Sequence, residues 1–459
     1  TAGDQLHPGI IHGGTGARFN LALNANVGGT TSPQNPSGEA ARTDWTQPLV
    51  FSKADPRGLY YANQFVFKTT DNAATWTRIS GDLTRPNPGE PSNLDEEAKN
   101  QTDRNGKRGV VYTIAPSPLL VPMVWIGTDD GFIQLTLNDG KTWTNVTPPA
   151  MTAWSRVTMM EASHFDFNTA YASVDRHQLQ DFDPYIYRTR DQGKTWQRIT
   201  DGMPAGVYVH TIKEDPMRQG LLFAGTERGA FVSFDDGDHW QPLQNNLPVT
   251  SVRDFEIYDG DLIVGTHGRG IWVIDNISVL RQLTPQIAAK DAHLFKPADA
   301  INVIQGGDNG TPMQKDEPMT PNPPNGAMID FWLKSSATVK LEILDAAGTV
   351  LQTYASDGSA ADDAGGRGGR GGRGGGGGGI PNTSALWREP PAPFTGAAGL
   401  HRVAWSPPGG GGGRGGRGRG GGGGGAAVTL PGTFTARLTV NGTAQSESFV
   451  VKPDPRQAS

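Results

Sequence analysis

The 459-residue sequence predicts an all-β protein: an array of small antiparallel sheets of β-propeller type, followed by a β-sandwich. Two observations predict the array: a turn motif ending in tryptophan recurs four times, and β-rich runs split by tight charged turns precede the copies. A third, short alternating strand-like runs in the C-terminal third, predicts the sandwich.

The motif occupies residues 69–76, 136–143, 189–196 and 233–240 with the pattern Ser/Thr-x-Asp-x-Gly-x-Thr-Trp. Its defining residues are Asp71 and Trp76; Asn138, Gly140 and Trp143; Asp191, Gly193 and Trp196; and Asp235, Gly237 and Trp240. Ala73 replaces the glycine in the first copy and His239 the threonine in the last. Glycine tolerates the positive φ of a hairpin turn. An Asp or Asn two residues earlier accepts hydrogen bonds from the turn amides. The tryptophan opens the next strand and offers an apolar face between sheets. Every part serves the turn, so these acids read as structural and not as a catalytic row.

The runs before the boxes are 124–128, 221–226 and 262–266, with looser copies at 59–64 and 169–175. Each leads through a charged turn into another β-rich run. Upstream passes at 48–52, 111–115 and 207–213 complete four strands per unit.

These boxes resemble the Asp-box, or BNR, repeats of β-propellers. Sortilin-like domains, xyloglucanase-like glycoside hydrolases and bacterial exported proteins grouped with glycosyl hydrolases carry such repeats. The run Gly-Thr-His-Gly-Arg-Gly-Ile-Trp at 265–272 resembles the end of the propeller in the bacterial group. The resemblance covers residues 45–285 and implies fold far more than function. Five blade units are visible, the fifth without a box, whereas such rings usually close with six or more. Residues 18–27 either supply the last unit with an outer strand or end a blade whose remainder lies upstream. The opening Thr-Ala-Gly-Asp, with neither an initiator Met nor a signal peptide, favours the second.

The expected domains are a propeller at 1–285, a Pro-rich linker at 286–325, an immunoglobulin-like β-sandwich at 326–453 and a tail at 454–459. Strand candidates at 327–333, 337–344, 400–405, 431–440 and 444–451, with the hairpin turn Asn441-Gly442, carry the sandwich. Two Gly/Arg-rich tracts, 365–379 and 409–425, interrupt it as loops. They read as flexible insertions, as extended three-residue-period helices that pack together, or, on weaker grounds, as RNA-binding segments.

The formal net charge is −6, and six arginines lie in the tracts, so the remainder is more acidic still; nucleic acid is not an expected partner. No apolar run approaches a membrane span. The absence of cysteine excludes disulfides and thiolate sites. Together with the resemblance and the sandwich, it points to an exported, extracellular or periplasmic protein.

In a four-stranded blade the turns alternate between two ends. The turns opposite the Asp boxes gather Asp129, Asp130, Asp175, Arg176, His177, Glu227, Arg228, His267 and Arg269 on one rim, and the insertion 86–108 falls there too. This is the expected ligand site; the alternative is that the turns are merely exposed and self-paired. No metal or cofactor is expected, because His177 and His267 lack paired-ligand spacing. A glycosidase needs two carboxylates about 5–9.5 Å apart, and no motif assigns them. Trp154 and Tyr185 are the nearby aromatics. The reading is a non-catalytic surface for a peptide, protein or glycan, associated with its own upstream blades or other subunits; the alternative is a glycoside hydrolase.

Overall fold

The structure, a computed structural model, describes residues 6–8, 17–20, 25–30, 33, 35, 39–44, 46–100, 109–303, 323–358, 393–407 and 430–455. The Gly/Arg-rich tracts and residues 304–322 lie outside the described residues. The fold is nearly all-β and divides into two compact units, Thr1–Ile274 and Asp275–Ser459.

The first unit contains four successive four-stranded antiparallel sheets and a fifth with three strands, each in simple up-and-down order. Sheet A comprises Leu49–Phe51, Leu59–Ala62, Val66–Thr69 and Thr77–Arg78. Sheet B comprises Val111–Pro116, Val124–Thr128, Ile133–Thr136 and Thr144–Asn145. Sheet C comprises Arg156–Ala162, Ala170–Asp175, Tyr185–Thr189 and Gln197–Arg198. Sheet D comprises Val209–Glu214, Leu222–Thr226, Gly229–Ser233 and Gln241–Pro242. Sheet E comprises Ser251–Tyr258, Asp261–His267 and Ile271–Ile274. Residues 17–20 and 25–30 pair with Leu6–Pro8 in a separate three-stranded sheet, so the 18–27 segment gives sheet E no fourth strand.

Sheets stack flank to flank, which explains why the second strands of A to D are buried along their whole length. Ile133 and Leu135 of sheet B, for example, share a core with Val157, Ala172 and Tyr187 of sheet C. Such a strand cannot alternate apolar with polar residues, because both faces meet protein. Glycine at the Gly-Thr position permits the close approach: a Cβ on Gly127 would lie 2.3 Å from Val157 Cγ1.

The four copies of the Ser/Thr-x-Asp-x-Gly-x-Thr-Trp motif close the third-to-fourth-strand turns. In the third box, Asp191 Oδ1 accepts from Thr195 N at 2.9 Å and Thr189 Oγ1 at 2.9 Å, while Thr189 Oγ1 accepts from Gly193 N at 2.9 Å. The same bonds recur around Asp71, Asn138 and Asp235, where His239 Nδ1 pairs with Asp235 in place of a threonine hydroxyl. Ala73 takes the glycine position at φ 60°.

The first strands of sheets B to E each carry a β-bulge at one equivalent place, after Val111, Val157, Val209 and Val252. Bulges re-aim a side chain out of the pleat. The bulged residues are Tyr112, Thr158, His210 and Arg253.

The second unit is two sheets around one core. One sheet pairs Ala292–Leu294 and Gly399–Trp405 with the central Ala327–Leu333; the other orders Ala300–Asn302, Thr443–Pro453, Gly432–Val440, Val339–Leu344 and Val350–Ala355. Phe331, Leu341, Trp405, Phe434 and Phe449 fill the interior. Two expectations are corrected here. The stretch read as a linker from residue 286 instead supplies two strands, because Leu294 and Ala300 join that core. The unit also begins before residue 285: Arg402, paired with Asp330 at 2.7 Å, donates to the Asn276 carbonyl at 2.6 Å and to that of Asp275. Among the described residues, no helix is long and apolar enough to cross a membrane.

Candidate functional site

The turns joining second to third strands lie at the end of the sheets opposite the tryptophan motifs, as the up-and-down order requires. Asp129, Asp175, Glu227 and His267 hold equivalent positions. Each directly follows the residue paired with the valine that precedes the bulge. What lies opposite and beside them comes from the first strands.

The densest cluster joins sheets C, D and E. Asp175 is buried and accepts from His177 N at 2.8 Å while meeting His177 Nδ1 at 2.7 Å, which fixes the imidazole. The ring of His177 stacks on Tyr208, centroids 5.1 Å apart and 29° between planes. Tyr208 meets the buried His210 edge-on at 5.0 Å. His210 Nε2 pairs with Glu227 Oε2 at 2.7 Å, and Arg253 Nη2 lies 3.5 Å from the same oxygen. Burial works to raise both acids, but His177 holds Asp175 ionised below the ordinary carboxylate range, and His210 with Arg253 does so for Glu227. Burial and Arg253 depress His210. Tyr208 is pushed up to about 12 by burial and by the charges of Glu227 and Asp175.

Asp129 differs. It accepts one bond from Val110 N at 2.7 Å, and burial together with the adjacent Asp130 raises its carboxyl to about 7 despite the pull of Arg156. Arg156 projects from sheet C over the Tyr112 ring at 5.2 Å, within the field of both Asp129 and Asp175. Its Nε is buried without a hydrogen-bond partner among the described residues. Burial and Asp130 thus hold Asp129 towards its protonated form.

The other expected residues separate from this group. Asp130 is fully buried and structural, accepting from Thr128 Oγ1 at 2.6 Å and Arg85 N at 2.7 Å, which seats the insertion that begins there. Arg176 turns back to Asp181 at 2.8 Å and to the Tyr185 ring. Arg228, His267 and Arg269 are exposed. The insertion does lie over this end: Trp154 Nε1 donates to Gly89 O at 2.9 Å, and Asp95 N to Gln178 O at 2.9 Å. Those bonds bury Trp154, and Tyr185 lies under Arg176 and Arg198, so neither expected aromatic offers a free face. Among the described residues, no group of three or more His, Asp or Glu side chains gathers as a metal site.

Sequence reasoning missed Arg156, Tyr208, His210 and Arg253. The signal available was the repeated valine before each bulge, with a large polar or aromatic residue beside it.

No protein-family model matches the chain. It is 23% identical over 317 residues, 60% of this chain, to a probable oligoxyloglucan-reducing end-specific xyloglucanase of Neosartorya fischeri. It is 30% identical over 105 residues, 22% of this chain, to the oligoxyloglucan-reducing end-specific xyloglucanase of Emericella nidulans. The chain spans only 36% and 13% of the lengths of these relatives. Among solved structures, the GH74 xyloglucanase of Xanthomonas campestris matches 72% of this chain and 48% of its own, at 15% identity and a TM-score of 0.39. The chain is therefore similar in sequence to xyloglucanases over part of its length.

Proposed function

We propose that this chain is part of an exported, Asp-box β-propeller glycoside hydrolase acting on a β-glucan of the xyloglucan class, with its bond-cleaving end at the rim of Asp129 and Glu227. The reading is supported by the partial sequence similarity to xyloglucanases, together with Asp129, a turn carboxyl that burial and the adjacent Asp130 hold towards its protonated form. Glycoside hydrolysis pairs a protonated acid with an ionised carboxylate across the scissile bond. Asp129 would donate the proton to the leaving oxygen. Glu227, kept ionised by His210 and partly exposed, would act as the base or nucleophile. Release of new reducing ends from xyloglucan oligosaccharides, lost in Asp129→Asn and in Glu227→Gln, is the test.

The finer architecture belongs to the same proposal. Sheets A to E are taken as consecutive blades of a larger ring, and the second unit as an immunoglobulin-like sandwich. Support for further blades comes from both ends of the array: among the described residues the buried Trp76 indole N–H has no acceptor, and Ile271 and Val273, equivalent to the buried Ile133 and Leu135, are 77% and 50% exposed.

A second reading has an observation of its own. Asp175 and Glu227 are already tied to His177 and to His210 with Arg253, an arrangement suited to holding a peptide or glycan without cleaving it. Tight oligosaccharide binding without product would select it.

A further inference from the structure

The loop that follows Asp175 is pinned at several points. Arg176 Nε and Tyr185 Oη both bind Asp181 Oδ2, at 2.8 and 2.9 Å, Asp183 Oδ1 accepts from Gly206 N at 3.1 Å, and Asn93 Nδ2 donates to Leu179 O at 2.6 Å. On this loop Phe182 stands 45% exposed, its ring leaning on Tyr208 with centroids 6.1 Å apart. Tyr208 in turn stacks on His177, which Asp175 locks, and lies within the field of Glu227 and Arg253, whose side chains are 36% and 46% exposed.

We infer that Phe182, backed by Tyr208, is a stacking platform for one pyranose ring, with Glu227 and Arg253 binding its hydroxyls. The C–H face of a pyranose is apolar and its rim is polar. It therefore matches an aromatic surface flanked by a charged acceptor and a charged donor. Because the loop is held by its own bonds, little ordering is left for the ligand to cost. This assignment rests on the glycan reading above and adds to it the place where the sugar chain is gripped.

Calorimetric titration of the full chain with a xyloglucan oligosaccharide tests it, thermal melts verifying that each variant is folded. Phe182→Ala should weaken binding by about three- to tenfold, the range aromatic contacts generally command. Phe167→Ala removes a ring of similar exposure, 41%, from the opposite end of sheet C and should leave affinity unchanged. Wild-type affinity in Phe182→Ala, alongside intact cleavage, would overturn the platform and leave the glycan reading standing. A wild-type chain that neither binds nor cleaves the oligosaccharide would overturn both.

Discussion

The indole N–H of Trp196 donates to the carbonyl of Val146 at 2.7 Å, tying the box of sheet C to the residue just after the last strand of sheet B. Trp143 makes the same bond to Ile79 and Trp240 to Ile199, each at 2.9 Å. The motif tryptophan is therefore a device for stacking one sheet on the preceding one, not only a packing group. Trp76, in sheet A, finds no such acceptor among the described residues.

Phenylalanine substitutions should separate the two cases. Trp196→Phe leaves the Val146 carbonyl unpaired and should cost about 1 kcal/mol from the lost bond, beyond any packing loss. Trp76→Phe loses no bond and should fall less in thermal melts. Trp240→Ala, at a position 4% exposed, should cost about 3–5 kcal/mol. A Trp240→Ala protein as stable as wild type would show that the box tryptophans do not hold the sheets together.

Within the box, Asp191→Ala should cost about 1–3 kcal/mol by leaving turn donors unsatisfied. Gly193→Ala should cost more. Its φ is 80°, and an added Cβ would meet Val146 Cβ at 2.6 Å, so strain and clash act together. Chemical denaturation of both variants would settle the order; an Asp191→Ala loss larger than that of Gly193→Ala would contradict it.

The boxes and second strands were legible because their determinants are local. A side chain and the amides it binds lie within four residues, and an apolar run declares burial on both faces. The rim acids were legible for the same reason. Their partners were not: His210 reaches Glu227 across 17 residues, and Arg253 reaches His210 across 43, through bulges that appear only once sheets stack. The strand Ala300–Asn302 was hidden similarly, since it pairs in parallel with residues 451–453, far away in sequence and after a Pro-rich run.

Stability should respond to pH through two carboxyls. Burial raises Glu214 to about 7, as burial and Asp130 raise Asp129. Both folded values lie above the unfolded ones, near 4. Their contribution is thus fully present below about pH 4 and is lost as pH rises through 7. Glu214→Gln removes one of them, so its melting temperature relative to wild type should climb between pH 5 and 8. A difference that is constant across that range would mean Glu214 titrates normally.

The most direct test of the central claim is the rate of reducing-end release from xyloglucan oligosaccharides between pH 5 and 9. A general acid with a pKa of about 7 requires activity that declines above pH 7, and Asp129→Asn should lower the rate by roughly 10²-fold or more while leaving the melting curve intact. Cleavage by Asp129→Asn at the wild-type rate, or no cleavage by the wild-type chain at any pH, would contradict the assignment of this rim as a hydrolytic site.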